Sequence, residues 1–380
     1  MTGRQRIEAA FSRDGAPEIP VVIPYEEIFI RDHWRALTSC PWWYQDSPDI
    51  AHQIAWRRDC LAKAGSDWIG VRAFYAREER RHMAVEERSD GVFLINRRAG
   101  KEKRLEKPLV GGWSASGEIQ SFRPIHVADT FGEVDRLIPD LPPVDPEEFG
   151  ASGRADLARR ILEECGGLFP ICSVDSPLWA CYGLWGFEGL MTMIAEKPEV
   201  VEHACRCFLA RSLRSVKLAF LLGAAGIWIE ECMTDMVSPE AFARLNVPFV
   251  RRIVEEVRAL GMRSIYYFCG DPAGKWDLLL SADADALSLE ESKKGFAIAI
   301  EDVVERVKGR CVVLGNLDAI GLLPNGTEER LRAEIRRQVQ AGRRNGSRFI
   351  MSLGSPVTPG TPVERVRVYF DLAWQIGRTE

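Results

Sequence analysis

Ser264-Ile265-Tyr266-Tyr267-Phe268-Cys269-Gly270-Asp271 is the stretch that decides how this chain folds. A β-prone run leads straight into Cys-Gly-Asp, so a strand is expected to give way to a loop at Cys269. In a parallel barrel that rim carries the chemistry, because loops on a rigid scaffold converge there. A thiolate so placed can bind a soft metal or act as a nucleophile. The plainer alternative is a small, buried, apolar cysteine.

Outward from this run, strand-like and helix-like segments alternate, the signature of a parallel α/β architecture. Strands are expected at 19–23, 67–71, 169–174, 227–230, the run ending at 269, 286–289, 312–314 and 349–352. Helices are expected at 4–11, 50–64, 131–137, 155–164, 188–195, 199–223, 239–260 and from Thr327 to about residue 344. Ser238-Pro239 supplies an N-cap followed by proline at the first helical position. Ser89-Asp90-Gly91 between two short apolar runs is a hairpin signal. These counts predict an α/β protein: a (β/α)8 TIM barrel with an N-terminal helical extension and an antiparallel hairpin insertion. The expectation is a single domain over 1–380, with the insertion at about 76–146.

Composition narrows the class. The chain has 380 residues, 46% hydrophobic and 28% charged, which argues against extensive disorder. A net charge of −5 gives no footprint for nucleic acid. No run of 18 apolar residues reads as a membrane span, and the first residues are polar rather than a signal region. Ten cysteines without regular spacing suggest reduced thiols and a cytoplasmic protein.

Polar residues gather at the expected strand ends. Glu230, Glu231 and Cys232 end the fourth strand, Cys269 and Asp271 the fifth, Glu290 and Glu291 the sixth. Asn316 and Asp318 end the seventh, Ser352 and Ser355 the eighth, while Asp67 opens the second. Two carboxylates and a thiolate at such a rim could hold zinc with an open position. Taken singly, each acid is better explained by a helix cap or a salt bridge. Strand alternation points only one of Glu230 and Glu231 inward. His203-Ala204-Cys205-Arg206-Cys207 has metal-binding residue types, but only His203 and Cys207 share a helix face, and no loop is in view to complete a site. Packing is the expectation there. Trp42, Trp43, Tyr44, Trp113, Trp179 and Trp185 make the first half aromatic-rich, which would suit a flat substrate if one or two line a pocket.

Several stretches in order resemble the uroporphyrinogen decarboxylase superfamily, a set of (β/α)8 barrels that also holds corrinoid- and thiol-dependent methyltransferases. They are Gly65-Ser66-Asp67-Trp68-Ile69-Gly70-Val71, Ser238-Pro239-Glu240-Ala241-Phe242 with Pro248-Phe249, and Tyr267-Phe268-Cys269-Gly270-Asp271. Asp283-Ala284-Asp285-Ala286, Leu314-Gly315-Asn316-Leu317-Asp318 and Leu353-Gly354-Ser355-Pro356-Val357-Thr358-Pro359 follow. The decarboxylase branch implies an Arg-rich loop gripping tetrapyrrole carboxylates. Here Tyr25 and Phe29 stand at those positions, flanking Glu26 and Glu27, which would repel a polyanion. Trp185 matches that branch's tyrosine and Ser355 its histidine; Asp67 remains.

The methyltransferase branch implies a zinc held by His-x-Cys and a later Cys, whereas this chain offers Tyr267-Phe268-Cys269 and then Ser355. Either zinc is absent, or Cys269 is joined by acids such as Glu231 or Glu290. The resemblance therefore implies a methyltransferase moving a methyl group from a small methylated or methoxylated donor to the Co(I) of a separate corrinoid protein. Asp67, Glu231 and Cys269 are the expected catalytic residues, and Cys269, Glu231 and Glu290 the expected zinc ligands. Tyr25, Glu26, Trp185, Tyr267, Asn316 and Ser355 are the expected substrate-binding set. A decarboxylase or lyase of a small acid, and a non-catalytic binding barrel, are the rivals. A homodimer is left open.

Overall fold

The computed structural model describes residues 1–112, 128–292 and 295–379. Trp113, and part of the proline-rich stretch that the sequence places before the helix at 131, lie outside the described residues. Among the described residues ten strands are formed: β1 (Trp68–Gly70), β2 (Met83–Arg88), β3 (Gly91–Asn96), β4 (Lys101–Leu105), β5 (Phe169–Asp175), β6 (Gly226–Glu231), β7 (Arg263–Phe268), β8 (Ala286–Leu289), β9 (Val312–Leu314) and β10 (Phe349–Ile350). Seven lie in one parallel sheet in the order β1-β5-β6-β7-β8-β9-β10. The eighth position is filled without a regular strand. Val21 bridges Met351 in parallel, Val22 N–H donates to Met351 at 2.9 Å, and Asp67 N–H donates to Val21 at 3.0 Å. The segment that follows the N-terminal helix Gly3–Phe11 thus lies between β10 and β1 and closes the cylinder. Pro20 shortens it, since proline cannot extend a hydrogen-bonded ladder.

The inner face explains why the strands read as apolar runs rather than alternating ones. Trp68, Phe169, Ile171, Trp228, Ile265, Tyr267, Ala286, Val312, Leu314 and Ile350 pack together with Ile7, Ala10 and Phe11 of the N-terminal helix Gly3–Phe11. That helix stoppers the floor of the barrel. The outer faces of the strands pack on the surrounding helices in a separate, larger core.

Asp67 is part of this floor, and the expectation of a catalytic role is corrected by its position. It precedes β1, at the opposite end from the strand C-termini, and is 1% exposed. Its carboxylate accepts from Arg6 Nη2 at 2.5 Å, Val21 N at 2.7 Å and Trp374 Nε1 at 3.2 Å. It ties the N-terminal helix, the closing segment and the C-terminal helix Val363–Thr379 to one point.

The hairpin at Asp90-Gly91 forms as β2 and β3, and β4 adds a third antiparallel strand that the sequence pattern did not announce. β4 is Lys-Glu-Lys-Arg-Leu, exposed except for Leu105, so it shows no hydrophobic alternation. The helix expected over 239–260 is two, Pro239–Leu245 and Val247–Ala259. Pro248 cannot donate to the preceding turn, and the break falls at Asn246. No helix among the described residues is long and apolar enough to cross a membrane.

Candidate active site at the barrel mouth

Strand pairing fixes which side chains look into the mouth. Trp228 lies in the inner core, so Glu230 and Cys232, two and four residues on, face the same way. Asp175 is the lateral register partner of Glu230, and Tyr267 that of Ser288. A cavity of about 680 Å³ opens here, lined by Tyr25, Trp68, Asp175, Trp179, Trp228 and Glu230 among others.

The Glu230 carboxylate is held from three sides. Tyr25 Oη donates to Oε1 at 2.5 Å, Cys232 Sγ to the same oxygen at 3.0 Å, and Trp228 Nε1 to Oε2 at 2.6 Å. Tyr25 reaches it from a left-handed backbone conformation (φ 57°, ψ 42°) at the start of the helix Glu26–Leu37. That region is costly for a bulky side chain. The strain is offset by the Glu230 bond and by edge packing on Trp228 and Tyr267 at 6.1 and 5.7 Å. Tyr267 is stacked on Trp228 at 5.0 Å. Burial keeps both phenols protonated, well above the ordinary tyrosine range.

Burial, and then the charge of Glu230, raise the Asp175 pKa. Two carboxyl groups on one wall, one held as a hydrogen-bond acceptor and one pushed toward its neutral form, make an acid–base arrangement. The rim count from sequence omitted Asp175. Its signal was its place at the end of the third barrel strand, beside an acid on the fourth.

Cys269 is half-buried on the inner side next to Cys232, whose pKa is raised by the Cys269 thiol, by burial and by Glu230. The Cys-Gly turn itself is obligatory. Gly270 has φ 112°, and a Cβ there would meet Asp235 at 2.4 Å.

The expected metal ligands do not assemble. Glu231 faces away from Cys269, into the layer between strands and helices, where it accepts from Asn246 Nδ2; Asn246 Oδ1 in turn accepts from Tyr266 Oη at 2.9 Å. Wholly buried there, its pKa is pushed up to about 8. Glu290 follows β8, is 3% exposed, and lies close enough to Tyr267 to raise its pKa. Among the described residues, the one set of three His, Cys, Asp or Glu donors close enough to share an ion lies elsewhere, at Asp135, His203 and Cys207. The barrel residues therefore do not fit the zinc set Cys269, Glu231 and Glu290, and no chemistry is routed through it.

The remaining expected residues divide. Tyr25 and Tyr267 are at the site. Glu26 borders the cavity, but its carboxyl faces Ser66, and burial outweighs that bond to push its pKa up to about 8. Trp185 is 2% exposed within the helix Tyr182–Glu196 and donates to Ala128 O at 2.9 Å, so it is packing rather than pocket. Trp68, Trp179 and Trp228 supply the aromatic lining in its place. Asn316 spends its amide nitrogen on Glu290 O and Ile298 O at 3.1 and 2.9 Å, joining two rim loops. Ser355 is buried in the loop after β10.

One cationic feature was not foreseen. Arg72 lines the cavity, and its guanidinium and that of Arg57 reach the same oxygen, Gln53 Oε1, at 3.5 and 2.8 Å. Among the described residues neither has a carboxylate within 4 Å. Burial and the neighbouring Arg72 lower the Arg57 pKa to about 9.

Comparison with known proteins places this architecture. A uroporphyrinogen decarboxylase of Prochlorococcus marinus (strain NATL1A) is 24% identical over 245 residues, covering 62% of this chain and 66% of the relative. A methylated-thiol–coenzyme M methyltransferase of Methanosarcina mazei is 22% identical over 250 residues, covering 61% and 64%. The chain thus spans less than two thirds of the length of these curated relatives. A solved methyltransferase from Methanosarcina mazei superposes with a TM-score of 0.67 at 16% identity over 99% of both chains, which shows the shared fold. The family model for uroporphyrinogen decarboxylase (URO-D) matches residues 127–375, well over half the sequence, and the chain belongs to that family.

Proposed function

We propose that this chain is a methyltransferase that moves a methyl group from a small methylated or methoxylated donor to the corrinoid of a separate protein. The observation that carries this reading is the Asp175–Glu230 carboxyl pair on the wall of an aromatic-lined cavity. The names of the methyltransferase relatives support the reaction class. Uncharged Tyr25 and Phe29 at the positions of the decarboxylase clamp argue against a polyanionic tetrapyrrole.

The donor lies among Trp68, Trp179 and Trp228 with its heteroatom toward Asp175. When the methyl group leaves, the heteroatom gains an electron pair and must take up a proton. Asp175, held toward its neutral form, gives that proton, and Glu230 stays in place under Tyr25, Trp228 and Cys232. The corrinoid cobalt of the partner supplies the nucleophile; the residues of this chain bind, orient and protonate.

The test is methyl transfer to reduced cobalamin across a panel of methoxylated compounds, with Asp175→Asn beside the parent chain. Methyl-cobalamin formation that depends on Asp175 supports the proposal. Its absence across the panel, with carbon dioxide released from a small acid instead, would favour a second reading as a decarboxylase. Arg72 at the cavity edge is the feature that speaks for that alternative, since a cavity-lining guanidinium suits a single carboxylate.

A further inference from the structure

We infer that Asp135, His203 and Cys207 form a zinc site on the outside of the barrel, separate from the mouth. His203 and Cys207 stand four residues apart on the helix Pro198–Leu221 and so project side by side. The third donor comes from the helix Phe131–Leu137, which packs across them. His203 Nε2 and Asp135 Oδ1 are 2.7 Å apart, and Cys207 Sγ is 3.8 Å from each.

The geometry is near that of a metal centre. Zinc bonds of about 2.0–2.3 Å in a tetrahedron space the donors by about 3.3–3.7 Å. Both sulfur distances already approach this. Asp135 need withdraw from His203 by only about 0.6 Å, from 2.7 Å, which an exposed carboxylate accommodates by side-chain rotation. A thiolate, a carboxylate and a neutral imidazole carry two negative charges, matching a divalent ion, and the mixed sulfur, nitrogen and oxygen set suits zinc. Water takes the fourth position.

The surroundings hold the donors in place. Phe131, one turn before Asp135, stacks on the His203 ring at 4.7 Å. A capping box of Thr130 and Glu133 fixes the start of the short helix, and Lys197 pairs with Asp129 at 3.4 Å. The nearby cations Arg206 and Arg244 are both taken up by Glu202. An ion here would staple the helix Phe131–Leu137 to the barrel wall. Sequence spacing placed His203 and Cys207 on one helix face but left packing as the expectation; the third donor is 68 residues away from His203 and invisible to a local motif.

The test is a Co²⁺ titration of the full chain, stripped with chelator and kept reduced, followed by its thiolate-to-cobalt charge-transfer band and then displaced with Zn²⁺. One cobalt per chain is expected, with the band lost in Cys207→Ser and affinity reduced at least tenfold in Asp135→Asn or His203→Gln. The band should persist in Cys232→Ser/Cys269→Ser, which removes the paired thiols beside Glu230 at the mouth. Zn²⁺ should raise the melting temperature of the parent chain and leave that of Cys207→Ser unmoved. No band, or one that survives Cys207→Ser, overturns the assignment.

Discussion

Asp175 and Glu230 are direct neighbours across β5 and β6, and both carboxyl groups face the same cavity. Glu230 is pinned by Tyr25, Trp228 and Cys232, while Asp175 has its pKa raised by burial and by the Glu230 charge. The proposed acid is therefore the carboxyl whose pKa this setting raises. Asp175→Asn should lower kcat by about a hundredfold or more, within the range for loss of a general acid. The pH profile separates the roles. Activity that needs protonated Asp175 falls as pH rises through its raised pKa. Removing the neighbouring charge in Glu230→Gln lets that pKa fall, so the descending limb should move to lower pH. A limb that stays in place, measured as kcat against pH, would break the link between the two carboxyls.

At the other end of the barrel, Asp67 is a structural acid. It holds Arg6, Val21 and Trp374 around a carboxylate that water does not reach. Removing one partner of a buried ion pair typically costs about 3–5 kcal/mol. Asp67→Ala should lose that order of stability in urea unfolding, while turnover of the surviving folded fraction stays within about twofold of the parent, the null effect expected for a group remote from the chemistry. A large fall in kcat with stability intact would return Asp67 to the active site.

The contrast between these two acids shows what the sequence could and could not convey. Strand order and most strand positions were legible because buried parallel strands are short apolar runs, and β8 and β9 fall where the pattern puts them. The direction of a side chain at a strand end was not. Glu230 and Glu231 are both acids, and the choice between them depends on which face Trp228 occupies, which only the closed barrel fixes. Asp67 sits beside a strand in sequence like the rim acids, but before it rather than after. Trp185 and Trp228 are equally aromatic on paper, yet one is sealed against Ala128 and the other floors the cavity. Asp135 is the extreme case, joined to His203 only by the packing of two helices.

Arg72 offers a test of what kind of donor enters. It is the cationic group lining the cavity wall, and it shares Gln53 with Arg57 rather than pairing with an acid. A donor carrying one carboxylate should gain a charge-assisted hydrogen bond there, worth about 1.5–3 kcal/mol. Arg72→Ala should then raise KM for carboxylate-bearing donors by about ten- to a hundredfold and leave neutral donors unaffected. Equal KM changes for both kinds of donor would mean that Arg72 shapes the wall without reading charge.

Glu231 makes a prediction about stability rather than turnover. In the folded chain its pKa is about 8, because burial outweighs the Asn246 bond. Unfolded, it returns to about 4.3, the ordinary glutamate value. Between those values the folded state keeps a proton that the unfolded state has released. Stability therefore falls as pH rises across that window, and the contribution is fully present only below about 4.3. Glu26, also at about 8, acts in the same direction. Glu231→Gln keeps the shape and a hydrogen-bonding partner for Asn246 but cannot ionise. It should flatten the decline in melting temperature between pH 5 and 8 and raise the value at pH 8 by about 1–2 °C, the shift expected for about 1 kcal/mol in a chain of 380 residues. Asn246→Ala, which strips the bond but leaves the buried carboxyl, should lower stability and keep the slope. If Glu231→Gln retains the parent slope in calorimetric scans across this range, the carboxyl is already ionised in the fold and the layer behind β6 is wetter than its burial implies.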